Sequence, residues 1–516
     1  MFIATLAVVF SSALAAQSVP RADLPRSGSL RVTFEPQIHE WDQEISNGLA
    51  RPLGWFLSGQ NGTLAGARTI PQLARLQQDM RLVTGDPNYL AILGAARLSL
   101  QAERRDTPIL LELGVTDRLA IGVRVPLVRV QMRAGLTLDS TAGNLGRNPR
   151  TFPGTADSDY ETFFTQFDAV LTQIQDNITA GSYGPPGSGT RAAAQAFADS
   201  ATAVRGALYR ATYGASGADA APFLPTATSF AGVALDNNVT RIQQRFVAGF
   251  GVVGFTQNYL LPDDRVSVTD VSAILLDPNA GFGATPIQDT RRALRYWLGD
   301  VELQARYGLV KSRHYAATVG ALVRLPTGHQ ESAHNFFDLS TGDHQLDLEA
   351  ELTQEAIVGS RLWLNAAVRL GRQQAGTRQR RVGPPGAVLL PAGTAALLDW
   401  DPGDYIALDA APLYRFTPQF AVGLTAGYYT QSRDRYTYRS ATDSLAVAAA
   451  LGAPTAAGVL DVGTAFRHGR LGSTVTFAAA NVEGSLSIER VITARGAAVP
   501  SETRFRIVMR TSLQLF

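Results

Sequence analysis

The sequence predicts an all-β chain, a transmembrane antiparallel β-barrel of about twelve strands with helical inserts. Three observations predict it. Segment after segment alternates apolar and polar residues with a period of two, the mark of a strand with unlike faces. The turns between them alternate short (GVTDR, LVKSR, VGSR, RFTPQ, RHGRLG) with long, as in outer-membrane barrels. Beyond the N-terminus no run of eighteen apolar residues could cross a bilayer as a helix. In lipid only helices and closed barrels satisfy the backbone, so an exported membrane chain without apolar helices must be a barrel. A soluble β-sandwich is the competing fold. Aromatic residues near the segment ends and charges of both signs on the opposite face favour the barrel.

Composition sets the bounds. The chain has 516 residues, 17% charged, no cysteine and a formal charge of +2. It exceeds one ordinary core, so several domains or one large barrel is expected. The near-neutral balance gives no basic face for nucleic acid, and the lack of cysteine rules out a disulfide framework or thiolate metal site. The stretch IATLAVVFSSALA followed by Ala16 has the length and A-x-A cleavage site of a signal peptide over residues 1–15. Residues 16–516 then form one barrel domain, exported by the Sec route to a Gram-negative-type outer membrane.

Taken in order, SLRVTFEPQIHEW is the first strand, with Leu30, Val32, Phe34 and Ile38 opposite Arg31, Thr33, Glu35, Gln37 and His39. An insert over 42–88 follows, holding one helix. Thr69-Ile70-Pro71-Gln72 fits a capping box with proline just inside, and Leu73, Leu76, Met80 and Val83 keep helical spacing up to Gly85. From Leu93 to Val115 the strand pattern returns with a slip of phase. Leu98, Leu100 and Ala102 are apolar at even positions, Ile109, Leu111, Leu113 and Val115 at odd ones. The next strand, RLAIGVRVPLVRVQM, slips likewise at Pro126, and the paired prolines predict matching bulges. The insert over 134–295 departs furthest from strand patterning. Ser158-Asp159-Tyr160-Glu161 fits a capping box, and a stripe from Tyr160 through Phe163, Phe167 and Ile174 to Ile178 has helical spacing. After GSYGPPGSGT a second helix carries Phe197, Ala201, Val204 and Leu208, so a helical pair is expected. The remainder, including FVAGFGVVGF, is ambiguous.

Four sharply alternating strands come next: WLGDVELQARYGL, RHYAATVGALVRL, DHQLDLEAELT and RLWLNAAVRL. A Pro/Gly-rich loop leads to YIALDAAPLYRF, QFAVGLTAGYYTQ, VLDVGTAF and STVTFAAA, and ETRFRIVMRTSLQLF closes the chain. The count is twelve, or fourteen if 228–262 adds a hairpin. An even count puts both ends and the short turns on the periplasmic side and both inserts on the extracellular side.

LGDVELQARYGL, VGALVRLPTG and LSTGDHQLDLEAELT resemble the outer-membrane proteins of the phenol meta-pathway type, and more distantly the long-chain fatty-acid channels. TPILLELGVTDRLAIGVRVPLV fits more loosely, and the terminal Phe516 resembles the signal read by the barrel-assembly machinery. The resemblance implies a channel for passive uptake of small hydrophobic or aromatic compounds, not an enzyme. Its expected partners are outer-membrane lipid and a small-molecule solute; a monomer without cofactor or metal is expected. A structural or adhesive barrel with surface helices is the alternative, and an outer-membrane hydrolase a weaker one. The lumen would carry an acidic wall of Asp300, Glu302, Asp347, Glu349 and Glu351, with Arg306 among them. A basic wall of Arg361, Arg369, Arg504, Arg506 and Arg510 would face it. Opposed ladders would orient a solute; paired ones would fill the barrel. The only His-rich stretch, His329 to His344, lies in a loop and fits no hydrolase or zinc motif.

Overall fold

The computed structural model describes residues 22–58, 64–67, 70–152, 156–214, 221–276, 296–335, 338–387, 389–479 and 482–515. The stretch expected to be a signal peptide and Phe516 lie outside these residues. Twelve antiparallel strands form the wall. They are β1 (Ser29–Phe34 with Gln37–Trp41), β2 (Ile92–Gly114), β3 (Leu119–Asp139), β4 (Glu302–Lys311), β5 (Tyr315–Arg324) and β6 (Asp347–Val358). Then follow β7 (Leu362–Gln373), β8 (Tyr405–Thr417), β9 (Phe420–Gln431), β10 (Phe466–Ala479), β11 (Val482–Gly496) and β12 (Thr503–Gln514). Each pairs with its sequence neighbour, and β1 pairs with both β2 and β12, which closes the sheet. Closure removes every edge, so no backbone donor is left facing hydrocarbon. Pro36 interrupts β1 without shifting it: Phe34 opposes Ile109 and Gln37 opposes Asp106, the same register on either side.

Short turns join the strands at one end of the barrel, and the long connections and inserts emerge at the other. The turn after β6 illustrates the short end: Gly359 takes φ +63°, a conformation that glycine adopts without penalty. Large outward side chains are exposed all round the wall, as lipid contact requires, among them Leu303, Leu348, Leu370, Leu408, Leu424, Leu471, Ile488 and Ile507. Tyr307, Tyr315, Tyr414, Phe416, Phe420 and Phe477 gather near the short-turn end, and Tyr296 and Trp297 stand exposed before β4 toward the other. These are the interfacial girdles expected of such a barrel.

The bulges expected in β2 and β3 are absent. Pairing runs unbroken from Ala95↔Asp139 to Gly114↔Ala120, and Pro108 directly opposes Pro126. The phase slip has another cause: the wall changes its surroundings. Even positions point inward along the whole upper length of both strands. Below the prolines the outward residues are Ile109, Leu111, Leu113, Ile121, Val123 and Val125, facing lipid, while Glu112 and Arg124 face the lumen. Above them the outward residues turn polar (Arg97, Ser99, Gln101, Glu103, Arg105; Arg129, Gln131, Arg133). The inward ones turn apolar: Leu98, Leu100, Ala102 and Met132 are buried in one cluster. The inversion marks where hydrocarbon ends.

One expected late strand and one expected turn are corrected. VLDVG folds as a 3-10 turn over Ala457–Asp461, and RHGRLG is no turn but the upper part of β10. The strand that makes up the number is β11, VEGSLSIERVITARG. The total of twelve stands, and 228–262 adds no hairpin to the wall: it holds a helix and an irregular stretch.

The helices gather at the long-loop end. α1 (Pro71–Thr84) starts on proline with Ile70 at the N-cap and stops at Gly85 in the left-handed conformation; Thr69 lies outside the described residues. The second insert begins after β3 ends at Asp139 and holds more than a pair. It contains α2 (Ala156–Thr179), α3 (Gly189–Tyr213), α4 (Phe230–Phe250) and α5 (Val268–Leu276). α2 begins two residues ahead of Ser158, so the expected N-cap lies inside the first turn. Ser188 and Ser229 cap α3 and α4 instead, each accepting a backbone N–H from the first turn. The apolar faces of these helices meet in one core with Leu93 and Ala96 of β2. Phe163, fully buried, touches Phe167, Phe255 and Tyr259 edge-on. A helical cap therefore sits on the barrel, fused to it through the raised ends of β2 and β3.

Candidate functional site

Inward positions of the wall carry charge on nearly every strand, and the charges interleave. One chain of contacts runs Asp347–Arg324 (2.7 Å), Arg324–Glu302 (3.1 Å), Glu302–Arg124 (3.8 Å), Arg124–Glu35 (2.5 Å) and Glu35–Arg506 (3.6 Å). A second runs Arg369–Asp409 (2.6 Å), Asp409–Arg470, Arg470–Glu489 (3.2 Å), Glu489–Arg504 (3.4 Å) and Arg504–Glu502 (2.9 Å). It continues through His39, 3.1 Å from Glu502 and 3.4 Å from Asp106, to Arg104. The Tyr405 hydroxyl, on β8, donates to Glu349 on β6 at 2.5 Å, reaching across β7. Its ring lies on Gly371, where a Cβ would come within 2.0 Å of it. The glycine is what lets the tyrosine lie flat against the wall.

Opposed acidic and basic walls do not form. Arg306 stands 3.2 Å from Glu112 and 3.9 Å from Glu351, and Arg324 divides Glu302 from Asp347, so arginines break the acidic side. Glu35, Glu489 and Glu502 neutralise the arginines of β12, and Arg510 lies 3.8 Å from Glu483. A buried charge without a partner costs several kcal/mol, whereas pairing across neighbouring strands removes most of that cost. Asp300 stands apart from these pairs. Its carboxylate accepts Gly328 N–H (2.7 Å) and Asp343 N–H (3.0 Å), fixing the loop after β5. Arg361 is misplaced by the sequence pattern. It sits exposed in the short turn before β7, where it donates to the Tyr414 hydroxyl (3.3 Å), because the alternation of RLWLNAAVRL starts one residue later.

Inside this collar lies a cavity of about 290 Å³. All twelve strands contribute to its lining, and it reaches down to the Pro418–Gln419 turn. Of the residues expected to line the lumen, Glu302, Arg306, Glu349, Glu351, Arg369, Arg506 and Arg510 do so; Asp347 and Arg504 are buried in the pairs beside it. The pattern passed over Arg124, Trp363, Leu413 and Arg415, although each stands at the inward parity of its strand. Arg415 lies over the Trp363 indole at 4.5 Å, near the short-turn end. Leu110, Leu322, Leu413 and Val508 complete an apolar share of the lining.

The long-loop end of the lumen is filled. The hairpin of Gln43–Ser46 and Leu49–Pro52 pairs with Val499–Pro500 and sets Ile45 among Tyr405, Tyr429, Phe466 and Val491. Trp41, Leu53 and Leu339 pack on the upper faces of β2 and β3. Glu44 of the hairpin is buried, 3.9 Å from Arg51. Burial pushes its carboxyl up to about 7, the nearby guanidinium opposing in part. An acid whose folded value is raised favours the folded state while protonated, so its contribution is fully present near pH 4 and fades toward pH 7. Glu44→Gln is therefore expected to flatten the pH dependence of the melting temperature between about pH 4.5 and 7. Thermal scans of the refolded protein in detergent would show it; an unchanged slope would count against the buried carboxyl.

His329, His334 and His344 face different groups: Asp338 (3.3 Å), Arg381 (3.4 Å) and the Gly328 carbonyl (3.3 Å) respectively.

No known protein family matches the chain, and no curated protein matches it either. Among solved structures, the COG4313 outer membrane channel from Pseudomonas putida F1 aligns over 95% of this chain and 98% of its own, at 7% identity and a TM-score of 0.41. The CymD monoaromatic hydrocarbon channel aligns over 95% and 89%, at 8% identity and 0.28. The outer membrane channel DcaP of Acinetobacter baumannii aligns over 95% and 100%, at 9% identity and 0.23. At these scores the likenesses carry no argument about this chain, and the fold rests on its own strand pairing.

Proposed function

We propose that this chain is a passive outer-membrane channel for small hydrophobic or aromatic compounds. Its short turns and termini lie on the periplasmic side, and its helical cap faces outward. The observation that carries the reading is the cavity of about 290 Å³ enclosed by all twelve strands. Side chains alone fill barrels of about eight strands, whereas wider ones enclose cavities or channels, as this one does. The lining suits such solutes in two ways. Its charges are already neutralised in place, so a neutral solute entering does not strip ions of their partners. Trp363, Leu110, Leu322, Leu413 and Val508 supply apolar contact between the pairs.

Refolded protein in planar bilayers tests this, intact and lacking residues 140–295. A small ion current is expected, interrupted by phenol and not by glycerol at the same concentration. Absence of both current and solute flux in intact and shortened protein would overturn the channel reading.

A further inference from the structure

The outward face of β10 and β11 changes from apolar to basic as the strands rise toward the long-loop end. Along their lower length this face presents Phe477, Leu471, Leu486 and Ile488, all exposed. Higher up it presents Arg467, Arg490 and Arg495, exposed as well. Arg467 stands directly opposite Arg495, and Arg490 opposite Leu471. The adjoining His468 and Ala494 are buried on the inward face, so both opposed guanidiniums point away from the lumen. The register shifts at Gly469–Arg470, which leaves Ile492 as an extra exposed residue between Arg490 and Arg495. Hydroxyls stand on both flanks. Thr430 of β9 opposes Arg467, Tyr428 opposes Gly469, and Thr503 of β12 opposes Arg490.

No contact on the wall accounts for this arrangement. The outward faces of β9, β10, β11 and β12 carry no acidic residue. The first acid met along the wall from Arg490 is Glu40 of β1, two strands away, or about 10 Å. None of the three arginines forms an ion pair among the described residues. Like charges directly opposite each other on a sheet are destabilising. A rim that only meets water needs no such pair. On β2 the outward face above the hydrocarbon carries Ser99, Gln101 and a Glu103 already paired with Arg105 at 2.5 Å. On β10 and β11 the balancing charge has to come from outside the chain.

We propose that Arg467, Arg490 and Arg495 bind the headgroup phosphate of an outer-leaflet lipid, a phosphorylated glycolipid of the lipopolysaccharide class. Guanidinium groups take phosphate oxygens through paired N–H donors, and a phosphate monoester carries more charge than a carboxylate. A lipid fits better than a free anion because the apolar face continues directly below on the same two strands. Leu471 and Ile488 meet acyl chain while the arginines meet the headgroup at the limit of the hydrocarbon, where basic clusters recognise anionic lipid. Tyr428, half-exposed beside Gly469, belongs to that same interfacial level. The choice of leaflet rests on the proposed outward orientation of the helical cap; the binding does not.

Native mass spectrometry of the full chain, refolded in detergent and titrated with bisphosphorylated lipid A, counts the bound lipid. Wild type is expected to bind it well ahead of fully dephosphorylated lipid A. Arg467→Gln and Arg495→Gln should each weaken binding roughly fivefold, the worth of one basic residue near an anionic surface, and the double variant further. Lys311→Gln, exposed at the short-turn end, should leave binding unchanged. Mobility of unheated samples on SDS gels confirms that each barrel is folded. Without lipid, Arg495→Gln should melt no lower than wild type, since it removes an opposed like charge. With bisphosphorylated lipid A, wild type should gain more thermal stability than the double variant, which a purely structural role would not produce. Equal binding by wild type and the folded double variant, or no binding by either, overturns the site. Displacement by an equal concentration of inorganic phosphate overturns the lipid in favour of a free anion. Each of these results leaves the channel reading to be decided by current in bilayers. Lipid A bound in detergent, with the cap resistant to protease on whole cells, supports the site and sinks the orientation instead.

Discussion

Asp409→Ala is expected to destabilise the refolded barrel by about 3–5 kcal/mol, the cost of stranding buried charge. Asp409 is buried between Arg369, at 2.6 Å, and Arg470. With the carboxylate gone, Arg470 keeps Glu489, but Arg369 keeps no ion pair among the described residues, and two buried guanidiniums are left near each other at the edge of the cavity. Urea unfolding in lipid vesicles, followed by tryptophan emission, measures the loss. A double variant, Asp409→Leu with Arg369→Met, should recover part of it, because replacing a buried pair with apolar groups of similar volume is often nearly neutral. If the single and double variants lose the same amount, the interleaved charges are not what stabilises this half of the lumen.

The second large effect belongs to the cap. Phe163→Ala removes a fully buried ring from the centre of an aromatic cluster, at a cost of about 3–5 kcal/mol. The loss should stay local. The helices hold one another and the raised ends of β2 and β3, while the wall below is held by its own ladder. Limited proteolysis should therefore cut the variant within 140–276 far faster than wild type, while the unheated barrel keeps its compact mobility on gels. Simultaneous loss of both signals would mean that cap and barrel unfold as one unit.

How much of this was legible in the sequence depended on where each residue sits relative to lipid. The strands from Glu302 to Gln373 were legible because both faces keep one character along their length: outward Leu303, Leu348 and Leu370 against inward Glu302, Glu349 and Arg369. β2 and β3 were legible as strands but misread in phase, because a period-two pattern records which face is apolar, not which face is outside. β11 was missed for the same reason. Arg490 falls on its outward face and Val491 on its inward face, next to the apolar cluster of the filled mouth, and the rhythm breaks there. The site was half legible. Parity alone finds inward residues such as Glu302, Arg369 and Arg506, but partners come from neighbouring strands and depend on register. That is why two opposed walls were expected where alternating pairs exist. Arg104 could be assigned no role, since its contacts are carbonyls of a loop 236 positions later in the chain.

The change of character at Pro108 and Pro126 also says how deep the barrel rides. On β3 the outward apolar run spans Leu119 to Leu127, and Arg129 follows. At about 3.3 Å per residue and a tilt near 45°, that run stands about 20 Å tall. It is shorter than the roughly 30 Å hydrocarbon layer of an average bilayer. Short-chain lipid matches it. Thicker lipid has to thin around the rim, at a fraction of a kcal/mol for each ångström of mismatch. The molecule is thereby held at one height and favoured in thin membranes, with Arg105 and Arg129 serving as its waterline.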